Sequence, residues 1–143
     1  MIAADADEEP LLQAALQARG NAHAPYSGFA VGAALRDEHG RMHVGCNVEN
    51  AAYPQGLCAE AVALGQLVLS GARRVTAVAV VGDADAPLTP CGGCRQKLAE
   101  FAAGDVPVYC ADLHGGRLRL TLGELLPYGF GPAALGRPRE GAR

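Results

Sequence analysis

The sequence predicts an α/β layered fold, and three observations carry that expectation. Residues 29–35 and 42–48 read as two strands joined by the turn Asp37-Glu38-His39-Gly40, a β-hairpin. Residues 75–81 form a continuous apolar run rich in Val, the pattern of a strand covered on both faces. Helical stretches at 57–69 and from Pro90 to about 103 alternate with these strands and with 106–111, which is the element order of a layered α/β domain.

The chain opens on an amphipathic helix over residues 10–19. Leu11, Leu12, Ala15, Leu16 and Ala18 supply its apolar positions, and Pro10 suits a first turn. Gly20-Asn21 ends it, and Asn21 to Gly28 is a loop. Residues 47–56 are a polar loop with Pro54 and Gly56. The apolar helix at 57–69 is closed by Ser70-Gly71. After the loop at 82–88, Thr89 is the expected N-cap of the next helix. His114-Gly115-Gly116 turns the chain toward a short strand at 118–120. Thr121 and Glu124 form a capping box opening a short helix that stops at Pro127. The Gly-, Pro- and Arg-rich segment 131–143 is expected to be a mobile tail. No repeat or domain-scale linker interrupts the chain, so residues 1–143 are expected to form one domain.

Composition narrows the function classes. The formal net charge is −3, aromatics are 5% and there is no Trp, which argues against a nucleic-acid partner. No apolar run reaches the roughly 18 residues of a membrane span, and the acidic start lacks a signal peptide's basic region, so a cytoplasmic protein is expected. Five cysteines are an odd count, which fits metal or redox chemistry better than a disulfide framework.

The chemistry concentrates in Cys58-Ala59-Glu60 and in Pro90-Cys91-Gly92-Gly93-Cys94. Three thiolates can hold Zn²⁺ and leave the fourth tetrahedral position open, which is the mark of a catalytic site. A carboxylate beside that position can move protons. Both stretches lie at expected helix N-termini, whose free N–H groups and positive dipole end favour thiolate. The two helices must therefore start side by side. The set resembles the signature of zinc-dependent nucleobase deaminases, in which the Glu is acid/base and not a ligand.

At these residues the chain resembles the small cytidine deaminases, which act on free nucleosides. The likeness runs from about residue 23 to 132. Residues 25–34 (PYSGFAVGAA), 45–54 (GCNVENAAYP), the two cysteine segments, and Leu125-Leu126-Pro127 followed by Phe130-Gly131-Pro132 carry it in order. The resemblance implies a three-layer α/β/α fold with a central mixed sheet of about five strands. It implies Cys58, Cys91 and Cys94 as ligands of one Zn²⁺ per subunit and Glu60 as proton shuttle. Asn47 and Glu49 would hold the ribose 3′-hydroxyl, Phe29 would stack on the pyrimidine, and the backbone at Ala59 would read the base edge. It further implies a homotetramer with shared sites, to which Tyr53 and Phe130 contribute across subunits. The implied reaction converts cytidine or 2′-deoxycytidine to the uridine product and ammonia in pyrimidine salvage, by attack of zinc-bound hydroxide at C4.

One departure from the family pattern is Ala61, where many members carry an Arg that hydrogen-bonds the thiolates. Helix N–H groups are the expected substitute. Blasticidin S deaminases resemble this chain in lacking that Arg and are the alternative within the class. Outside it stand a zinc-stabilised binding module, which would need a fourth protein ligand, and a metal-free redox CxxC. Cys46 and Cys110 read as small buried residues. His23, His39, His43 and His114 lack metal spacing. For Asn47 and Glu49 the residues alone suggest loop capping, and Phe29 alone suggests a core position.

Overall fold

A computed structural model describes residues 5–137. Residues 1–4 of the acidic start and 138–143 of the expected tail lie outside the described residues. The elements are α1 (Glu8–Arg19), β1 (Val31–Asp37), β2 (Met42–Cys46), α2 (Ala59–Leu69), β3 (Val75–Gly82), α3 (Gly92–Ala99), β4 (Pro107–Ala111), β5 (Arg117–Thr121) and α4 (Leu122–Leu125), with 3-10 turns at Tyr53–Gln55 and Pro132–Leu135.

The sheet has the order β2-β1-β3-β4-β5. β1 is antiparallel to β2 and β3, β3 is parallel to β4, and β5 is antiparallel to β4. β2, β3 and β4 therefore run the same way. The crossovers through α2 and α3 step in one direction across the sheet, and right-handed crossovers then place both helices on one face. The core follows this layout. Ala63 and Leu67 of α2 and Leu98 of α3 pack with Val78, Val80 and Val108. On the opposite face Leu11, Leu12 and Ala15 of α1 pack with Ala77, Ala79 and Val81. Alternate residues of β3 thus enter different cores, which is why its sequence is apolar throughout. This is the expected three-layer α/β/α arrangement around a mixed five-stranded sheet.

Two glycines set the helix–sheet distance. A Cβ at Gly32 would lie 1.9 Å from the Ala15 carbonyl oxygen of α1. One at Gly45 would lie 2.4 Å from the Ala59 carbonyl oxygen and 2.5 Å from the Ala63 nitrogen of α2.

Several element ends differ from expectation, each for a local reason. β1 begins at Val31 and not at 29, because the Phe29 N–H donates to Ser27 Oγ and its carbonyl accepts from Asn47 Nδ2. β2 stops at Cys46 and not at 48, and Val48 makes only isolated bridges to His23 and Leu57. α1 starts at Glu8, with Glu8 and Glu9 filling its first turn ahead of Pro10. α2 begins at Ala59, because Cys58 is its extended N-cap. α3 is shorter than expected at both ends. Its N-cap is Cys91, since Thr89 Oγ1 is taken by the Arg95 guanidinium at 3.0 Å. It stops at Ala99, where the Phe101 carbonyl turns to accept the Val75 N–H at 2.9 Å. The Thr121–Glu124 capping box forms as expected.

The hairpin turn is built on a buried charge. Asp37, 1% exposed, accepts from the backbone N–H groups of His39 (2.8 Å) and Arg41 (3.0 Å) and from Arg41 Nε (3.0 Å), and is bonded to His43 Nε2 (2.7 Å). Burial pushes its carboxyl up, but His43, the two N–H groups and the Arg41 charge outweigh burial and hold it well below the usual range. Its folded pKa therefore lies below the unfolded value of about 3.9. The stabilisation is present above that value and is lost as pH falls through it toward the folded pKa. Asp37→Asn is expected to cost about 1–3 kcal/mol at neutral pH, because buried donors lose their acceptor. It should also flatten the acid limb of stability. Denaturant melts from pH 7 to pH 3 check this, and an acid limb as steep as wild type would contradict it.

Candidate active site at two helix N-termini

α2 and α3 begin at the same edge of the sheet, where β2 and β3 end. Their N-caps are Cys58 and Cys91, and Cys94 lies in the first turn of α3. The three sulfurs all lie within 4.8 Å of one another, with Cys58 Sγ 3.9 Å from Cys91 Sγ. Zn–S bonds of about 2.3 Å in a tetrahedron imply an S–S edge of about 3.8 Å. The spacing fits a shared metal ion. Among the described residues no fourth His, Cys, Asp or Glu joins this group, and Glu60 is not part of it.

The thiols differ in environment. Cys94 is fully buried, whereas Cys58 and Cys91 are exposed. Burial, then the Glu60 charge, push the Cys94 thiol up, and burial also raises Cys58. Burial acts on Cys91 in the same sense, but the Cys94 backbone N–H and the neighbouring thiols more than reverse it. Neither N-cap thiol makes an aligned cap hydrogen bond. The sulfurs converge on each other, and the Cys94 N–H acts on Cys91 as a nearby dipole. Ala61 is half-buried.

Glu60 follows in the first turn of α2 and is 5% exposed. Burial pushes its carboxyl above the ordinary glutamate range, with the Cys94 thiol and the Lys97 charge opposing. A carboxyl shifted this way holds a proton more readily than an exposed glutamate does. It lines a cavity of about 380 Å³ together with Cys58, Ala59, Cys91, Phe29, Asn47, Glu49 and Tyr53. That volume is in the range of small-molecule sites.

The remaining expected residues are placed as follows. Asn47 bridges two backbone groups, its Nδ2 donating to the Phe29 carbonyl (2.8 Å) and its Oδ1 accepting from the Val31 N–H (2.9 Å). Glu49 accepts from the N–H groups of Tyr26 (3.0 Å) and Ser27 (3.1 Å) and from the Ser27 hydroxyl. The Ser27 hydroxyl and then its N–H hold the Glu49 carboxyl below its ordinary range. Tyr53 lines the cavity of its own chain and stacks edge-on against Tyr26, with ring centroids 5.7 Å apart. Phe130 does not line it and is 59% exposed, its carbonyl accepting from Gln96 Nε2 at 2.8 Å. Ser27, Leu57, Leu88 and Thr89 were not expected at the site. Ser27 braces both Glu49 and Phe29, and the other three line the cavity. Leu88 lies in an irregular loop without periodicity, so no sequence signal marks it. Cys110 is buried as expected, and burial pushes its thiol up to about 11, while Cys46 is half-buried. Among the histidines, His43 is bonded to Asp37, and none joins the metal group.

The closeness of Gly45 to α2 bears directly on this site. Gly45→Ala should force the Ala59 end of the helix away, at about 1–3 kcal/mol for overpacking, and displace Cys58 with it. Zinc retention and thermal melting check this, and a variant matching wild type in both would contradict it.

Residues 5–110 match the family model described as "Cytidine and deoxycytidylate deaminase zinc-binding region". The chain is 46% identical over 124 residues to a cytidine deaminase of Sporosarcina psychrophila, covering 87% of this chain and 91% of that one. It is 42% identical over 136 residues to a cytidine deaminase of Mycobacterium tuberculosis, covering 95% and 98%. A crystal structure of cytidine deaminase from Burkholderia pseudomallei superposes with a TM-score of 0.82 at 42% identity, covering 85% and 97%.

Proposed function

The chain belongs to the cytidine deaminase family, and from that premise we propose that it hydrolyses cytidine and 2′-deoxycytidine to uridine and 2′-deoxyuridine with release of ammonia. The observation that carries this reading is the convergence of three thiols, with no fourth ligand among the described residues, beside a cavity into which a buried Glu60 opens. An open donor set argues for catalysis over a closed structural site.

Cys58, Cys91 and Cys94 would hold one Zn²⁺ per subunit, which would supply activation of water at neutral pH. Glu60 takes one proton of the attacking water and passes it to ring N3, then takes the proton of the new C4 hydroxyl and gives it to the amine, which leaves C4 as ammonia. Its raised pKa supports both directions of transfer. Phe29 lies against the pyrimidine, and the backbone at Ala59 meets the base edge. Asn47 spends one donor and one acceptor on the backbone and keeps one of each for the 3′-hydroxyl. Glu49 accepts three hydrogen bonds and keeps one acceptor site for that same hydroxyl.

The cavity also discriminates by charge. Among its described lining residues there is no Lys or Arg, and Glu49 and Glu60 are acidic. A 5′-phosphate would find no cation there and would forgo charge-assisted hydrogen bonds worth about 1.5–3 kcal/mol. This lining supports the free nucleoside over the nucleotide as substrate. Turnover of cytidine, deoxycytidine, deoxycytidylate and blasticidin S tests this. The first two are expected to lead, with deoxycytidylate about 10–100-fold lower in kcat/KM. A preference for deoxycytidylate or blasticidin S would contradict the reading.

The same reading places the chain in the cytoplasm in pyrimidine salvage, as a homotetramer with shared sites. Its free cysteines support a reducing compartment. Tyr53 (74% exposed) and Phe130 (59%) are available to a second subunit. Light scattering showing an active monomer would contradict the tetramer, and secretion of the native protein would contradict the location.

A further inference from the structure

Arg95 follows the third thiol directly and lies outside the cavity lining. Its guanidinium joins two separate segments. Nε donates to the Pro90 carbonyl (2.6 Å) and Nη2 to Thr89 Oγ1 (3.0 Å), while Nη1 donates to the Leu125 carbonyl at the end of α4 (2.9 Å). Thr89 and Pro90 lead straight into Cys91, whose own side chain makes no cap hydrogen bond. Pro90 has no N–H with which to anchor itself. Pro90 is fully buried and Leu88 packs on the core, and the Arg95 fork adds the side-chain hydrogen bonds that fix the approach to Cys91. The neighbouring Gln96 ties the same C-terminal segment again, through Phe130.

We propose that Arg95 is a positioning residue for the metal centre: its fork fixes Thr89-Pro90 against the end of α4 and so holds the Cys91 sulfur in register with Cys58 and Cys94. The proposal rests on the reading of these thiols as zinc ligands. Lysine is a point charge on a flexible stem and cannot span three acceptors in one plane. If the fork matters, lysine is no substitute. If charge alone matters, it is.

The test is zinc affinity of the full chain by chelator competition, with thermal melts of the metal-free proteins alongside. Arg95→Ala and Arg95→Lys are both expected to weaken zinc by about 10–100-fold, the usual cost of losing an outer-shell partner. Thr89→Val removes one acceptor and should weaken it in the same direction by less. These losses are expected to exceed any change in metal-free melting. Arg95→Lys retaining wild-type zinc affinity overturns the proposal, whatever Arg95→Ala does. If Arg95→Ala does not fold, Arg95→Lys decides by the same criterion. Failure of the wild-type chain to bind zinc would overturn the zinc reading itself, which is a separate result.

Discussion

Glu60→Ala is expected to lower cytidine turnover by at least about 10²–10⁴-fold, the range of general acid–base catalysis, while zinc stays bound. The carboxylate is outside the three-thiol group, so its loss removes no ligand. It is 5% exposed and lines the cavity together with Cys58 and Cys91. No other carboxylate in that lining lies next to the thiol segments, since Glu49 is committed to Tyr26 and Ser27. Glu60→Gln separates proton transfer from packing. It keeps the shape of the side chain and cannot shuttle a proton, so it should be as inactive as the Ala variant and better folded. Zinc per chain and kcat are the measurements. A folded variant that has lost its metal would mean that Glu60 is a ligand.

The second large effect is expected at Cys94, the thiol of the three that is fully buried. Cys94→Ser replaces a thiolate by a hydroxyl that stays protonated at neutral pH and is a weak zinc donor. It also places a polar group at a fully buried position. Zinc binding is linked to folding, and at 100 times its Kd a ligand contributes about 2.7 kcal/mol of stability. The wild-type chain should therefore melt higher with zinc than without, and the variant should melt at one temperature regardless. A Cys94→Ser chain that carries a full zinc complement at wild-type stability would contradict the three-thiolate assignment. Cys91→Ser should behave alike, with a smaller packing effect because that side is exposed.

What could be read from the sequence was what chemistry and burial constrain most. Cys58, Glu60, Cys91 and Cys94 were readable because an open zinc site demands those residue types near helix starts. β3 was readable because both its faces are covered, and the short helix after Thr121 because its capping box is local. Element ends were harder, because side chains from far along the chain claim the backbone there. Asn47 holds the Phe29 carbonyl outside the ladder, and Arg95 takes Thr89 from the cap of α3. Neither partner is visible from sequence spacing. Asp37 reads as an ordinary turn residue, yet it is a buried charge with four hydrogen bonds from His39, Arg41 and His43. Leu57, Leu88 and Thr89 enter the cavity wall from irregular segments that carry no period. Of the helix-start N–H groups expected at the sulfurs, that of Cys94 lowers the Cys91 thiol, whereas burial raises those of Cys58 and Cys94.

The most direct measurement is the fate of cytidine with the purified chain, followed by absorbance and by ammonia release. It is run as isolated, after zinc removal by a chelator, and after zinc is restored. Uridine and ammonia in equal amounts are expected from the zinc-loaded chain, with activity lost on chelation and recovered on adding zinc back. Full activity of the metal-free chain, or a zinc-loaded chain that leaves cytidine unchanged, would contradict a zinc-dependent cytidine deaminase.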